Sequence, residues 1–575
     1  MNGGDSFLFD VAPRHDTRAP ARWHGHGRYG AWGYLLPAVL LVSLVLLAPL
    51  GATVVASVTG PDGVSAYGEV LTDRDVWLAL RHNAVWLALA LVVCGLGFGL
   101  AWLARDAGPR TRALLLAVPA LPAVTSPLTA GMAFRLIFDA NPSRGVVSAL
   151  VPGDVLFLGP GWIWLVLGLA FAWQWTGLAC LVFHVALAGM PADLMRVARV
   201  FGAGRLRRLR VVVFPALFPT AALVLLLVLT AAVRVFDLVL IGAPGSMHAQ
   251  VDVAGLFWWR HRDDLGEGRA SALAILLSTM AVAVATLVLG RLRRDWPEAG
   301  GPPRDRPAPA PGLARRARTA AAAVVAVVWT FPFATLLLTS FRSPDAAATS
   351  GWWTGGYGLG SYGEAFEDGA FAGALGATAQ RALLVAVLVV LLAVPAAYAL
   401  TPGQLPLRTR RVVAGVAVVL AVLPPQVLAR PLGEALGTLL GGTVILSFVH
   451  TALVLPLGVL LLRNAFRSVP RPVVLRPLAE GRSAMIRMTL ESGPAVLAVA
   501  VLAFVLAWND LVVGLLLNWP AADQAPLVVL QQARHFSTSA GALAVQAVVL
   551  TAVPVLLTLA TGRWLRRGLT QGVRG

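Results

Sequence analysis

The chain has 575 residues, 58% of them hydrophobic and only 13% charged, with a mean hydropathy of +0.76. That balance excludes an ordinary soluble protein and makes lipid the solvent for most of the chain. The net charge of +18 comes entirely from arginine, because lysine is absent. A nucleotide-binding loop that needs a lysine to reach the phosphates is therefore excluded, so this chain does not hydrolyse ATP that way by itself. The charge reflects an arginine-biased composition rather than a nucleic-acid partner. Cys94 and Cys180 both lie in apolar runs, which gives no disulfide framework and no metal site.

In chain order, an arginine-rich stretch over 1–32 precedes an apolar run from 34 to 58, too long for the hydrophobic region of a cleaved leader and expected as a retained span. Five further runs of bilayer length follow at 83–103, 113–138, 161–188, 211–242 and 270–290, completing a first six-helix domain over 33–294. A proline- and arginine-rich segment over 295–318 has no apolar period and reads as a linker. Six more runs, at 319–341, 382–401, 412–429, 443–462, 494–518 and 541–562, give a second six-helix domain over 319–565, with a tail over 566–575. The expected fold is all-α integral membrane, with two tandem six-helix domains and about 12 transmembrane helices. Because six is even, both halves enter from the same side, which makes the repeat parallel about a pseudo-twofold axis.

Most of the 46 arginines fall in the segments that lie inside if the amino terminus is cytoplasmic, while the acids favour the other side. The positive-inside rule then puts both termini in the cytoplasm. The tryptophans near span ends, Trp258, Trp259, Trp352, Trp353 and Trp519, fit interfacial aromatic belts.

The loop between the fourth and fifth spans has a similar plan in both halves. Ala188 to Pro219 reads AGMPADLMRVARVFGAGRLRRLRVVVFPALFP, and Arg467 to Pro494 reads RSVPRPVVLRPLAEGRSAMIRMTLESGP. Pro191 and Gly202 match Pro470 and Gly481 at equal spacing. A proline that opens a short helix and a glycine that closes it make a compact elbow on the cytoplasmic face.

These loops resemble the coupling loops of ABC-importer membrane permeases, in which the elbow docks on a separate ATPase. The resemblance implies MetI-like permease domains and coupling positions at Pro191, Asp193, Arg196, Ala198, Gly202, Pro470, Arg476, Glu480 and Gly481. This sequence departs from the family's acidic-Ala-Ala run. Arg196 and Leu475 stand at the glutamate position, and Pro477 would interrupt the second elbow. Further segments resemble the maltose and glycerol-phosphate type of carbohydrate permease: FRLIF (Phe134 to Phe138), VFDL (Val235 to Leu238) and GRASA (Gly268 to Ala272) in the first half, then LPPQVLARP, LPLGVLLLRNAF and AWNDL in the second. The terminal GLTQGVRG resembles a tail that reaches between ATPase subunits, with Gly568, Leu569 and Thr570 as its contact candidates. What the resemblance implies is a permease with both subunits fused in one chain. An ABC ATPase dimer would carry ATP and Mg, leaving no cofactor in this chain, and an extracytoplasmic solute-binding protein would deliver a sugar-like or polyol solute. A fused permease for ferric iron or thiamine, a twelve-helix secondary transporter, and a degenerate permease kept for sensing are the alternatives.

Charged and polar groups inside spans are expected to face a cavity or the bundle interior. Arg234, Asp237 and Asp510 are the charged candidates for the substrate path. Arg234 and Asp237, three apart, are expected on one helical face, where they pair with each other or meet substrate. Gln174, His184, His450 and Asn509 offer hydrogen bonds to hydroxyls, and Trp173, Trp175 and Trp508 offer apolar faces for a sugar ring. Packing and interhelical hydrogen bonding are the plainer roles for the same side chains.

Overall fold

The computed structural model describes residues 28–141, 145–151, 155–190, 192–202, 204–292, 312–343, 356–367, 369–402, 404–436, 442–469, 483–517, 524–534 and 539–571. Among these residues the chain is helical apart from one isolated bridge between Arg342 and Tyr357. Eight helices are long and apolar enough to cross a bilayer unbroken: Gly30–Thr59, Arg74–Arg105, Ile163–Gly189, Gly266–Val288, Arg315–Ser340, Ala370–Ala399, Gly442–Arg467 and Ala540–Gly562. Four further helix pairs are bent by more than 40° at a short break, and the number of spans reaches 12 where each pair is one crossing.

The bends repeat between the halves. The third span of the first half divides into Pro109–Val124 and Pro127–Ile137 at 106°, and that of the second half into Leu407–Val422 and Gln426–Ala435 at 90°. Proline explains both, since it lacks an N–H and pushes the residue before it into extended backbone. Ser126 before Pro127 has ψ 139°, and Leu423 before Pro424 has ψ 132°. The spans read over 113–138 and 412–429 are therefore each bent. The fifth spans bend too, by 63° between Leu209–Phe218 and Thr220–Val233 and by 76° between Ala484–Glu491 and Gly493–Trp508.

A second repeated device sits after each fifth span. The helix Ala254–His261 is capped by Asn83, whose Oδ1 accepts the Ala254 N–H at 2.8 Å. The helix Ala525–Arg534 is capped by Thr378, whose Oγ1 accepts the Ala525 N–H at 2.9 Å. In both halves the cap comes from the second span, and it satisfies an N–H that the helix itself leaves open. Asn83→Ala and Thr378→Ala are each expected to cost about 1 kcal/mol, additively because they lie in different halves. Lowered unfolding temperatures in detergent would register both losses.

The halves are not merely adjacent, because each first span packs on the other half. The first span lies against Ala370–Ala399, Gln426–Leu436 and Gly442–Arg467, and Gly312–Ser340 lies against Pro109–Ala120 and Pro127–Ile137. Thr53 donates its hydroxyl to the Val427 carbonyl at 2.7 Å. Trp173 and Trp329 exchange indole N–H bonds to each other's carbonyls at 2.9 and 3.1 Å. With no hydrophobic force between helices in lipid, such close packing and interhelical hydrogen bonds hold the bundle together.

Helix ends differ from expectation at two places. The seventh span begins at Gly312, inside the stretch read as linker, and the last helix continues through Gln571. Gly568, Leu569 and Thr570 are therefore helical. Leu569, Thr570 and Gln571 include no proline to stop the helix after Gly568.

Candidate functional site

In each half the fifth span ends inside the bundle and restarts after a short break. Val233 ends Phe214–Val233, and the next helix is Asp237–Gly242. Trp508 ends Gly493–Trp508, and the next is Val512–Leu517. Irregular backbone at this depth is tolerated only where protein or a cavity surrounds it. Arg234 caps the first of these ends and Asp237 opens the following helix, so the expectation of a shared helical face is corrected. No ion pair joins Arg234 and Asp237 among the described residues.

Asp237 opens the helix after its break and Asp510 lies in its break two residues before Val512–Leu517, both where a carboxylate complements exposed helix N–H groups. Asp510 Oδ2 accepts the Val513 N–H at 3.1 Å. Asp237 is 7% exposed, whereas Arg234 is accessible to solvent although protein encloses it. Arg234 lines a cleft with Val233, Val235, Gly255 and Leu277.

Each break faces the third-span bend of the other half. Asn509 donates from Nδ2 to the Val124 carbonyl at 2.8 Å, and its own carbonyl accepts from Ser126 Oγ at 3.2 Å. Reciprocally, Val233, Arg234 and Val235 share a cleft with Pro424 and Gln426. The charges converge at this crossing. Asp510 acts electrostatically on Arg234, Asp237 and Arg381, and its Oδ2 lies 3.0 Å from His450 Nε2.

Of the substrate-path candidates, Arg234, Asp237, His450, Asn509 and Asp510 meet here. Gln174 is one step away, donating to the Thr125 carbonyl at 3.0 Å and so bracing the bend. Trp508 is 3% exposed, stacks on Phe504 and donates to the Leu550 carbonyl at 3.0 Å. Trp173 packs between Phe134 and Phe333. His184 stands apart, half-buried beside Ala101 on the second span.

Two residues of the site escaped the sequence reading. Arg381 is 1% exposed inside Ala370–Ala399, while the predicted span began at 382 and left it among loop charges. Gln426, 6% exposed, follows the second proline of the LPPQ segment. A lone arginine joined to an unbroken apolar run was the available signal.

The first elbow is a helix over Ala192–Val200 that contains Asp193, Arg196 and Ala198, closed by Gly202 in the left-handed conformation at φ +70°. Glycine adopts that conformation without strain. Leu194, Val197, Val200 and Phe201 are exposed, the last two at 84% and 82%. Pro191 and the second-elbow positions Pro470, Arg476, Glu480 and Gly481 lie outside the described residues.

In the loop after the first-half break, Asp252 is buried, which raises its carboxyl above the ordinary range, while an ion pair with Arg260 pulls it back. Removing Arg260 is expected to destabilise this loop by stranding a buried carboxylate, visible as faster proteolysis next to the Ala254–His261 helix.

Residues 95–294, which include the first elbow and the Arg234–Asp237 break, match the family described as binding-protein-dependent transport system inner membrane component. The chain is 26% identical to the alpha-glucoside transport system permease protein AglF of Rhizobium meliloti, over 47% of this chain and 83% of that one. It is also 26% identical to the trehalose/maltose transport system permease protein MalF of Thermococcus litoralis, over 40% of this chain and 81% of that one. Each relative thus spends most of its length on less than half of this chain. A bacterial ABC transporter that imports the acidic polysaccharide alginate has a chain 20% identical, with a TM-score of 0.41 over 46% of this chain and 95% of that one.

Proposed function

We propose that the chain is a membrane permease of an ABC importer, as the family match over 95–294 and the similarity to saccharide permeases support, and that it forms the translocation path for a sugar or polyol. Both permease halves are fused, and the chain alternates between outward- and inward-open states. A separate ATPase dimer, which binds ATP and Mg, docks on the cytoplasmic elbows and drives the change. An extracytoplasmic binding protein delivers the solute. The chain lies in the cytoplasmic membrane with both termini inside, and its own part is transport rather than catalysis.

One observation carries the reading: the elbow over Ala192–Val200 holds up an uncovered apolar face within the family match. An exposed apolar patch on a basic cytoplasmic loop marks a partner surface. The similarity to alpha-glucoside and trehalose/maltose permeases supports a saccharide as solute. The Arg234, Asp237, Asn509 and Asp510 crossing is the part of the path that would meet its hydroxyls, because it is polar, central and reached by solvent.

Proteoliposomes that hold the chain with its own ATPase and binding protein are expected to take up an alpha-linked disaccharide only with ATP inside the ATPase compartment. Uptake that persists without ATP and follows an ion gradient would sink the proposal in favour of a secondary transporter.

A further inference from the structure

The two crossings between the halves are closed differently. At the second-half break, Asn509 donates to the Val124 carbonyl and accepts from Ser126 Oγ, so it is tied to the opposite bend in both directions. Arg234 caps its helix at the corresponding place in the first half. Its guanidinium makes no hydrogen bond and no ion pair among the described residues, although it shares a cleft with Gln426 of the opposite bend.

Gln426 has the complementary deficit. The residue is 6% exposed, and its Oε1 is buried without a hydrogen-bond partner. A buried amide oxygen left unmet costs the desolvation of that group. Gly255 is what lets the amide lie so deep, because an added Cβ there would sit 2.8 Å from Gln426 Nε2.

The cleft limits what can serve both residues. Its volume is about 10 Å³, enough for a single water-sized group. Its other walls include Val233, Val235, Leu277 and Pro424, which are apolar, so an entering group finds polar side chains only at Arg234 and Gln426. Arg234 only donates, and Gln426 Oε1 only accepts. A group that satisfies both must accept from one and donate to the other. A hydroxyl does so, whereas a carboxylate or an ammonium serves one side only. Asp237 and Asp510 also act electrostatically on Arg234 and offset its charge, which disfavours an anion further.

We propose that Gln426 is a solute contact supplied by the second half, accepting from a solute hydroxyl whose oxygen takes a hydrogen bond from Arg234. The ligand class is a neutral polyhydroxylated molecule, held by one hydroxyl across the joint between the halves. Water fills the cleft until that hydroxyl displaces it. Because the two partners belong to different halves, a motion that parts the halves here breaks the bridge and releases the solute. The contact rests on the saccharide reading above and adds the second half to it.

In a chain with Cys94 and Cys180 replaced by alanine, Leu277→Cys places a thiol in the cleft and keeps both polar partners. Methyl methanethiosulfonate is small and neutral, and mass spectrometry of the full chain in lipid nanodiscs follows its addition to that thiol. Maltose, trehalose or glycerol is expected to slow the addition about fivefold, the scale of one hydrogen-bonded contact. Ethylene glycol dimethyl ether at the same osmolality, which accepts but cannot donate, is expected to leave the rate unchanged. Gln426→Leu and Gly255→Ala are each expected to abolish the protection, the first by removing the acceptor and the second by displacing the amide. If Leu277→Cys does not give monodisperse protein, Val235→Cys repeats the measurement from another wall of the cleft. Three results overturn the contact: a thiol that never reacts, protection that survives Gln426→Leu or is matched by the ether, and no protection from any of the three hydroxylic probes, which leaves water as the only occupant. ATP-driven uptake is the separate arm. If the reconstituted importer carries no sugar while the thiol is still protected, the permease reading fails and the contact stands, and uptake without protection gives the reverse.

Discussion

Val197→Asp combined with Phe201→Asp is expected to abolish association with the ATPase while leaving the chain itself folded. Both side chains stand in solvent, Val197 at 53% and Phe201 at 82% exposed, so the change removes no internal packing. Burying one such side chain in a partner groove contributes about 1.5–3 kcal/mol, and a charge in its place must also be desolvated. Losing two anchors weakens docking by roughly 100-fold or more, since each 1.4 kcal/mol is tenfold. Co-purification of the ATPase on the tagged chain would show the loss, and an unchanged elution profile and unfolding temperature would show that folding is intact. Normal ATPase recovery with both aspartates in place would mean that this elbow is not the docking surface. Gly202→Val at the turn is expected to act in the same direction but less strongly, because a β-branched residue at φ +70° strains the elbow without removing its anchors.

Gly177→Ala is expected to be the most damaging single methyl group in the first half. Gly177 lies in the fourth span, where an added Cβ would sit 1.6 Å from the Pro119 carbonyl oxygen and 2.0 Å from its carbon. These are backbone atoms of the third span just before its bend, and they cannot swing aside as a side-chain end does. Overpacking a well-filled core costs about 1–3 kcal/mol and more where the backbone must shift, so a loss beyond about 3 kcal/mol is expected here. The displaced segment leads into Thr125 and Ser126, which hold Gln174 and Asn509, so transport would fall along with stability. Gly95→Ala is the control. Its added methyl group meets nothing within 4 Å, and the substitution favours the helix by about 0.5–1 kcal/mol. A drop in unfolding temperature for Gly177→Ala with none for Gly95→Ala is the expected pattern, and equal behaviour of the two would refute the close approach.

The recognition of this chain rested on local signals that survive without tertiary structure. Twenty-residue apolar runs announced each span, because a lipid-crossing helix must satisfy its backbone internally and cover itself with apolar side chains. The long apolar helices and the glycine-closed first elbow followed from such short-range patterns. Asp237 and Asp510 were visible for the same reason, since a charge in an apolar run is conspicuous whatever surrounds it.

Tertiary structure decided what the residues near those charges do. Arg234 and Asp237 belong to different helices because the fifth span breaks between them, and no spacing rule encodes a break that a neighbouring half stabilises. Arg381 sat one residue outside a predicted boundary and became a site residue only when Ala370–Ala399 was seen to extend past it into the bundle. Trp508 looked like a binding platform until Leu550 and Phe504 claimed its indole. The sequence by itself determined that this is a bundle of membrane-spanning helices with a glycine-closed elbow in its first half, because hydropathy and turn chemistry act residue by residue. Only the folded chain determined that each half's fifth-span break closes on the other half's bend, because that contact joins residues hundreds of positions apart and depends on two helices breaking at the same depth.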